Sequence, residues 1–361
     1  MGYPLIILGA GASYDFMRLE QFNNVERHAL EQWRPPFTNG LFDGTRFQEL
    51  ILKFGEMDEI VSDIRGRIFN DSETSLEQIL TTLHTQDTKN DPDLYRSFIA
   101  LLFYLADLFH NISAKYYRPH NNYLSLRRKL RQTGNKAIFV NFNYDLLLEQ
   151  AFHPGGLKNV NDYIAVSSFP IIKIHGACNW FRQRNIKMSS DESPLNCFDL
   201  AMEEKVAEKL IDPATDLGDG KYELVVHEYS DTTNILTKPG TNPLHAYSFD
   251  PAIALPVIEK GNFVCPSSHI DFLKTELPNV DRVVIIGWRG ADKSLRDILD
   301  GELNKRKVPI AFVGGENIMS TLSTIGNPIK DYVAIHDEKG FSHFVSSIEG
   351  EEFLRMELDG K

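Results

Sequence analysis

"YPLIILGAGASYDF", Tyr3 to Phe16, runs an apolar segment directly into a loop built from the smallest residues. Leu5, Ile6, Ile7 and Leu8 form the short continuous apolar run of a strand buried on both faces, and the glycines that end it predict a strand-loop-helix unit. Gly9 and Gly11 let the backbone turn sharply and come close to a ligand. A helix beginning near Ala12 or Ser13 would aim its free N–H groups over that loop, where an anion is favoured. The stretch reads as the first unit of an α/β sheet with a phosphate-bearing ligand above it. The alternative leaves Gly9 and Gly11 as a tight strand-to-helix turn and nothing more.

A dehydrogenase loop of this kind carries a third glycine, and an acidic residue roughly 20 positions on at the end of a second strand. Here Tyr14 takes the third glycine position. Glu26 and Glu31 lie in "NNVERHALEQW", which reads as helix with no strand before it. Hydride transfer fits poorly, whereas a dinucleotide ligand still fits.

The 361 residues, 42% of them hydrophobic, are enough for one large α/β domain or two smaller ones, with a sizeable core. A net charge of −12 gives no general footprint for direct nucleic-acid binding. The basic stretch "SLRRKLRQTGNK" (125–136) reads as the solvated face of a helix. Three cysteines, Cys178, Cys197 and Cys265, are too few and too far apart for a disulfide framework or a four-cysteine zinc site. That usage suits a reducing cytoplasm. No apolar segment approaches the ~20 residues of a membrane span, and no leader peptide is evident, so no membrane association is expected.

Outward from the opening stretch, residues 37–130 show helical spacing in several pieces and read as a helical insertion after the first strand. In "SLEQILTTLHTQ", Leu76, Ile79, Leu80 and Leu83 share a face, and Ser75 with Gln78 resembles a capping box. "YRSFIALLFYLADLFHNISAKYY" predicts a central packed helix. Strands resume at "KAIFVNFNYD", "PIIKIHG", "AIALPV", "DRVVIIGW" and "VPIAFVGG", with a weaker one at "YVAIHD", and "ADKSLRDILDGELNKR" reads as a helix between the last strong pair. Strands alternating with helices predict an α/β, Rossmann-like fold, its sheet mostly parallel and covered by helices on both faces. Residues 185–246 are polar and irregular, with a helical piece at "DLAMEEKVAEKL", and read as an elaboration of a single domain spanning 1–361.

Two further strand ends carry polar residues, and ligands of open α/β sheets gather at the carboxyl ends of strands. In "FVNFNYDLLLEQAF" these are Asn141, Asn143 and Asp145. Asparagine offers a donor and an acceptor without charge, suited to a ribose or an attacking water. The plainer alternative makes Asp145 a helix cap and Asn143 a turn residue. In "IIKIHGACNW" the strand ends in His175 and Gly176. Histidine is the natural general base near neutrality, although an isolated histidine is often structural. Three such ends, each directly after a buried strand, would meet on one edge of one sheet.

The order "GAGAS", "NFNYDLLLE", "KIHG" and "VVIIGWRGAD" resembles the sirtuin-like domain of bacterial antiviral, anti-phage NAD-cleaving proteins, over nearly the whole chain. The resemblance implies that Gly9, Ala10, Gly11 and Ser13 bind NAD+, that Asn143 and His175 are catalytic with Asp145 beside them, and that Gly287 and Asp292 line the nucleotide site. It implies a stand-alone NAD+ hydrolase releasing nicotinamide and ADP-ribose. It also implies self-assembly as a homo-oligomer and a separate activating partner, such as a HerA-type ATPase or a short Argonaute.

Departures from the deacetylating sirtuins favour plain hydrolysis. The four-cysteine zinc module is missing, "YDFMRL" follows the glycine loop directly, and Trp288 and Arg289 stand where relatives carry a small hydroxyl residue and its neighbour. No metal is implied, since the leaving group is already a cationic pyridinium. Protein deacylation, ADP-ribosyl transfer and a non-catalytic subunit that binds NAD or ADP-ribose are the competing readings.

Overall fold

The opening apolar run forms a strand that is buried along its whole length. In the computed structural model, which describes residues 2–70, 75–86, 91–134, 136–166, 168–187, 196–203, 210, 222–227, 236–237, 245–256, 263–290, 292–315, 321 and 332–355, it is the first of ten strands among the described residues. These are β1 (Tyr3–Leu8), β2 (Ile138–Asn141), β3 (Ile171–Lys173), β4 (Gly176–Lys187), β5 (Glu223–Val226), β6 (Leu236–Thr237), β7 (His245–Ile253), β8 (Val280–Ile286), β9 (Ile310–Val313) and β10 (Val333–Asp337).

Six of them form one sheet in the order β10-β9-β8-β1-β2-β3, parallel at every pairing. The sheet is flanked by helices, so the α/β, Rossmann-like expectation holds. The first three strands step outward in one direction, and the chain then returns to lay β8 on the other side of β1. That reversal is a topological switch point, the place where a doubly wound sheet opens a crevice at its strands' carboxyl ends. Leu8 pairs with Asn141 on one side and Ile286 on the other, which places the ends of β1, β2 and β8 level.

Between β1 and β2 the chain is helical, as the spacing predicts. The capping box is present: Gln78 N–H donates to Ser75 Oγ at 3.2 Å and Ser75 N–H to Gln78 Oε1 at 2.7 Å. The helix Pro92–Tyr116 is long and apolar enough to cross a membrane by length and composition, beyond the sequence expectation. However, 83% of its most apolar window is buried inside the protein, and it serves as a core helix. Asp91 caps its first turn, with Pro92 at the position where a missing N–H costs nothing.

The sequence reading missed a second sheet. Strands β4, β5, β6 and β7 pair antiparallel in the order β5-β4-β7-β6. The run "AIALPV", expected as a strand of the main sheet, is instead the end of β7 and the residues after it, and the described part of 185–246 contributes strands to this layer. Much of "DLAMEEKVAEKL" lies outside the described residues, whose helical part here is Cys197–Ala201.

Candidate functional site

The loop after β1 leads into a five-residue helix, Ala10–Tyr14, capped by Gly9. It packs directly on the loop after β8. A Cβ on Gly9 would lie 2.5 Å from the Gly287 carbonyl oxygen, and one on Gly11 would lie 2.8 Å from the Gly287 Cα. Gly287 itself has φ +62, and a Cβ there would come within 2.6 Å of the Ala12 nitrogen. Only glycine admits this approach at all three positions. Two loop amides are engaged in the same contact, Gly9 N–H donating to Ile286 O at 2.9 Å and Gly11 N–H to Gly287 O at 3.2 Å, while Ala12 N–H donates to Gly9 O at 2.9 Å within the loop. The glycines thus join two strand ends across the switch point.

Asn143 ties the third strand end to this pair. Its Nδ2 donates to the Gly9 carbonyl at 3.0 Å and to Ser13 Oγ at 2.9 Å, and its own N–H is held by Asn141 Oδ1 at 3.0 Å. Ser13 Oγ also lies 3.2 Å from the buried Tyr123 hydroxyl, whose ionisation burial opposes strongly. Asn141 Nδ2 is buried and has no hydrogen-bond partner among the described residues.

Asp145 follows with one oxygen accepting Leu147 N–H at 3.1 Å, which is the cap-like role that the plainer reading assigned it. Beneath it lies Lys173, wholly buried at the end of β3. Lys173 Nζ donates to the Asp145 main-chain carbonyl at 2.6 Å and pairs with Glu149 at 2.9 Å. Burial pushes the carboxyls of Asp145 and Glu149 up from their ordinary values, and the Lys173 ammonium draws them back.

His175 stands beyond β3, with its Nε2 at 3.3 Å from Asp292 Oδ2. The other Asp292 oxygen accepts Leu295 N–H at 2.8 Å, so one carboxylate caps the helix Lys293–Arg306 and orients the imidazole. Two rings join this pair to the asparagine side. Phe142 meets His175 edge-on at 4.9 Å and stacks on Trp288 at 5.3 Å and 19°. Trp288 follows Gly287, so the path returns to the glycine contact.

The structure therefore brings Gly9, Gly11, Ser13, Asn143 and Gly287 together by direct contact, and pairs His175 with Asp292. Ala10 lies in the short helix between the two glycines. Lys173, Phe142 and Tyr123 were missed. For Lys173 a signal existed, a charged residue inside the apolar run "PIIKIHG", whereas nothing in the spacing distinguishes the two aromatics from core residues. The three cysteines are buried and unbridged, and burial pushes the Cys178 and Cys265 thiols up to about 12. Among the described residues no cluster of three His, Cys, Asp or Glu side chains is arranged to hold a metal ion.

No protein-family model matches the chain, and no curated protein does. Among solved structures it is similar to a mutant Sir2 homologue in complex with 2'-O-acetyl ADP ribose, at 10% identity over 99% of this chain and 95% of that one, TM-score 0.45. It is similar to a Sir2 homolog–NAD complex at 10% identity, 98% and 88% coverage, TM-score 0.38. A structure titled for the mechanism and regulation of Sir2 enzymes matches at 13% identity, 74% and 85% coverage, TM-score 0.38.

Proposed function

We propose that this protein cleaves NAD+ to nicotinamide and ADP-ribose. The observation that carries the reading is the meeting of Asn143, Ser13 and the Gly9–Gly287 contact at the switch point of a parallel sheet, with the His175–Asp292 pair reached through Phe142. A dinucleotide is the ligand class for which such a crevice is suited. The unpartnered Asn141 amide adds a buried donor that a ligand oxygen would satisfy.

Cleavage breaks the bond between ribose C1 and the nicotinamide nitrogen, whose electron pair leaves with the neutral base. Positive charge develops on the sugar as it does in glycoside hydrolysis. Asn143, its amide fixed by two donated bonds, positions ribose and water. His175 accepts the proton released as water adds, and Asp292 holds its ring and offsets its charge. Gly9, Ala10, Gly11, Ser13 and Gly287 shape the dinucleotide side of the crevice.

On this reading the chain is a cytoplasmic anti-phage effector. It works as an oligomer and is activated by a separate partner, a HerA-type ATPase or a short Argonaute. Chromatography after incubation with NAD+, alone and with the product of the adjacent gene, tests the reaction. Free ADP-ribose with equimolar nicotinamide is expected. O-acetyl-ADP-ribose from an acetylated peptide would reassign the site to deacylation, labelled protein to ADP-ribosyl transfer, and stoichiometric retention of intact NAD+ to a binding subunit.

A further inference from the structure

Lys173 closes a strand otherwise made of isoleucine, Ile171 and Ile172, and its side chain is wholly buried. Both of its partners lie just beyond Asn143. One is the main-chain carbonyl of Asp145, and the other is the carboxylate of Glu149 in the helix Leu147–Phe152. Along the chain Lys173 ends β3 two residues before His175. One side chain thus spans the two strand ends that carry the amide and the imidazole.

Charge pairing alone does not account for this arrangement, because a buried ion pair is often replaceable by well-packed apolar side chains without loss. The bond to the Asp145 carbonyl is different. It fixes the backbone of the Asn143 segment, and no apolar residue reproduces it. We propose, resting on the NAD-cleaving reading of this site, that Lys173 is a positioning residue that holds the Asn143 segment in register with the His175 strand end, while Glu149 balances its charge.

The experiment compares the full-length parent with Lys173→Met/Glu149→Leu, which exchanges the pair for apolar side chains, and with Glu149→Gln, which leaves the bond to Asp145 in place. Thermal melting, NAD+ affinity, turnover and hydrogen exchange over residues 141–147 are measured for each. For the double variant, melting within a few degrees of the parent and affinity within threefold are expected, with turnover at least tenfold lower and the Asn143 and Leu147 amides exchanging at least tenfold faster. Glu149→Gln is expected to stay within threefold in every rate and affinity.

A folded double variant with parent-like exchange and turnover overturns the proposal, as does Glu149→Gln loosening the segment equally. Should the double variant fail to fold, Lys173→Gln, whose shorter side chain leaves the Asp145 carbonyl unreached, takes its place. If that variant also fails to fold, Lys173 belongs to global stability and the proposal is overturned. Exchange needs no substrate, so a parent that leaves NAD+ intact both alone and with the product of the adjacent gene sinks the NAD reading while the segment's dependence on Lys173 is still read.

Discussion

Asn143 Nδ2 donates to the main-chain carbonyl of Gly9 at 3.0 Å, across 134 positions of sequence. The end of β2 is thereby fastened to the loop that follows β1, and the residue assigned to chemistry is also a brace. Loss of its side chain removes two buried hydrogen bonds and leaves the Gly9 carbonyl with Ala12 N–H but without the donor from β2.

Asn143→Ala is accordingly expected to cost about 1–3 kcal/mol of stability and to lower NAD+ turnover on the order of 10²-fold under conditions where the variant is still folded. Asn143→Asp, which sets an acceptor against the Gly9 carbonyl, should melt lower than the parent. Denaturant unfolding beside single-temperature kinetics separates the two effects. Full turnover in a folded Asn143→Ala would remove it from the mechanism.

The two oxygens of Asp292 have separable tasks. Asn is a good helix cap, so Asp292→Asn should hold stability near that of the parent while weakening support for a protonated His175. Asp292→Ala should additionally lose about 1 kcal/mol through the cap. His175→Ala should reduce turnover by ~10²–10⁴-fold. Melting curves and initial rates for the three variants check the ordering, and an Asp292→Asn enzyme at parental rate would leave the aspartate with its capping role alone.

Gly287 is the most constrained of the three glycines that join the β1 and β8 loops. Positive φ and contact with Gly11 and Ala12 both resist a side chain. Gly287→Ala is expected to destabilise the fold by more than ~1 kcal/mol, whereas the same change at Gly301, inside the helix Lys293–Arg306 with open space around a Cβ, should be neutral or stabilising. Comparative thermal unfolding decides it. Equal melting temperatures for the two variants would contradict the packed-loop geometry.

Acid lability has an identifiable contributor in His269, buried against Trp180 with Nε2 at 3.1 Å from the Val160 carbonyl. Burial lowers its pKa from 6.5 to about 4. The unfolded chain therefore binds more protons between those values. Stability is intact above the unfolded pKa and declines as pH falls toward about 4, by up to about 3 kcal/mol. Urea midpoints across this range should fall less steeply for His269→Gln, which does not titrate. Parallel slopes would place the lability elsewhere.

The parallel sheet was legible because its inner strands are buried on both faces and carry apolar runs, from Leu5–Leu8 to Ile310–Val313, while the edge strand β10, buried only in alternation, reads more weakly. The antiparallel layer was not. Its strands hide charge: Arg184 on β4 pairs with buried Asp250 on β7, and Arg182 is buried with its guanidinium on the Leu210 carbonyl, so these segments read as polar and irregular. In the same way the apolar run near Ala252 announced a strand but not which sheet would receive it. The strand ends could be found from their motifs, whereas the contact of Gly11 with Gly287 depends on two loops folding against each other, which local spacing does not encode.

The central place of β1 has a consequence for how the protein is made. Its neighbours in the sheet begin at Ile138 and Val280, and Asp15 just beyond it receives hydrogen bonds from Ser342 N–H and Oγ. At ribosomal rates of ~5–20 residues per second, β1 waits on the order of 15–55 s before β8 is synthesised. Through that interval the nascent chain carries an apolar strand with both edges unmatched until β2 is made and one edge unmatched thereafter. The middle of the sheet is the junction that translation completes late.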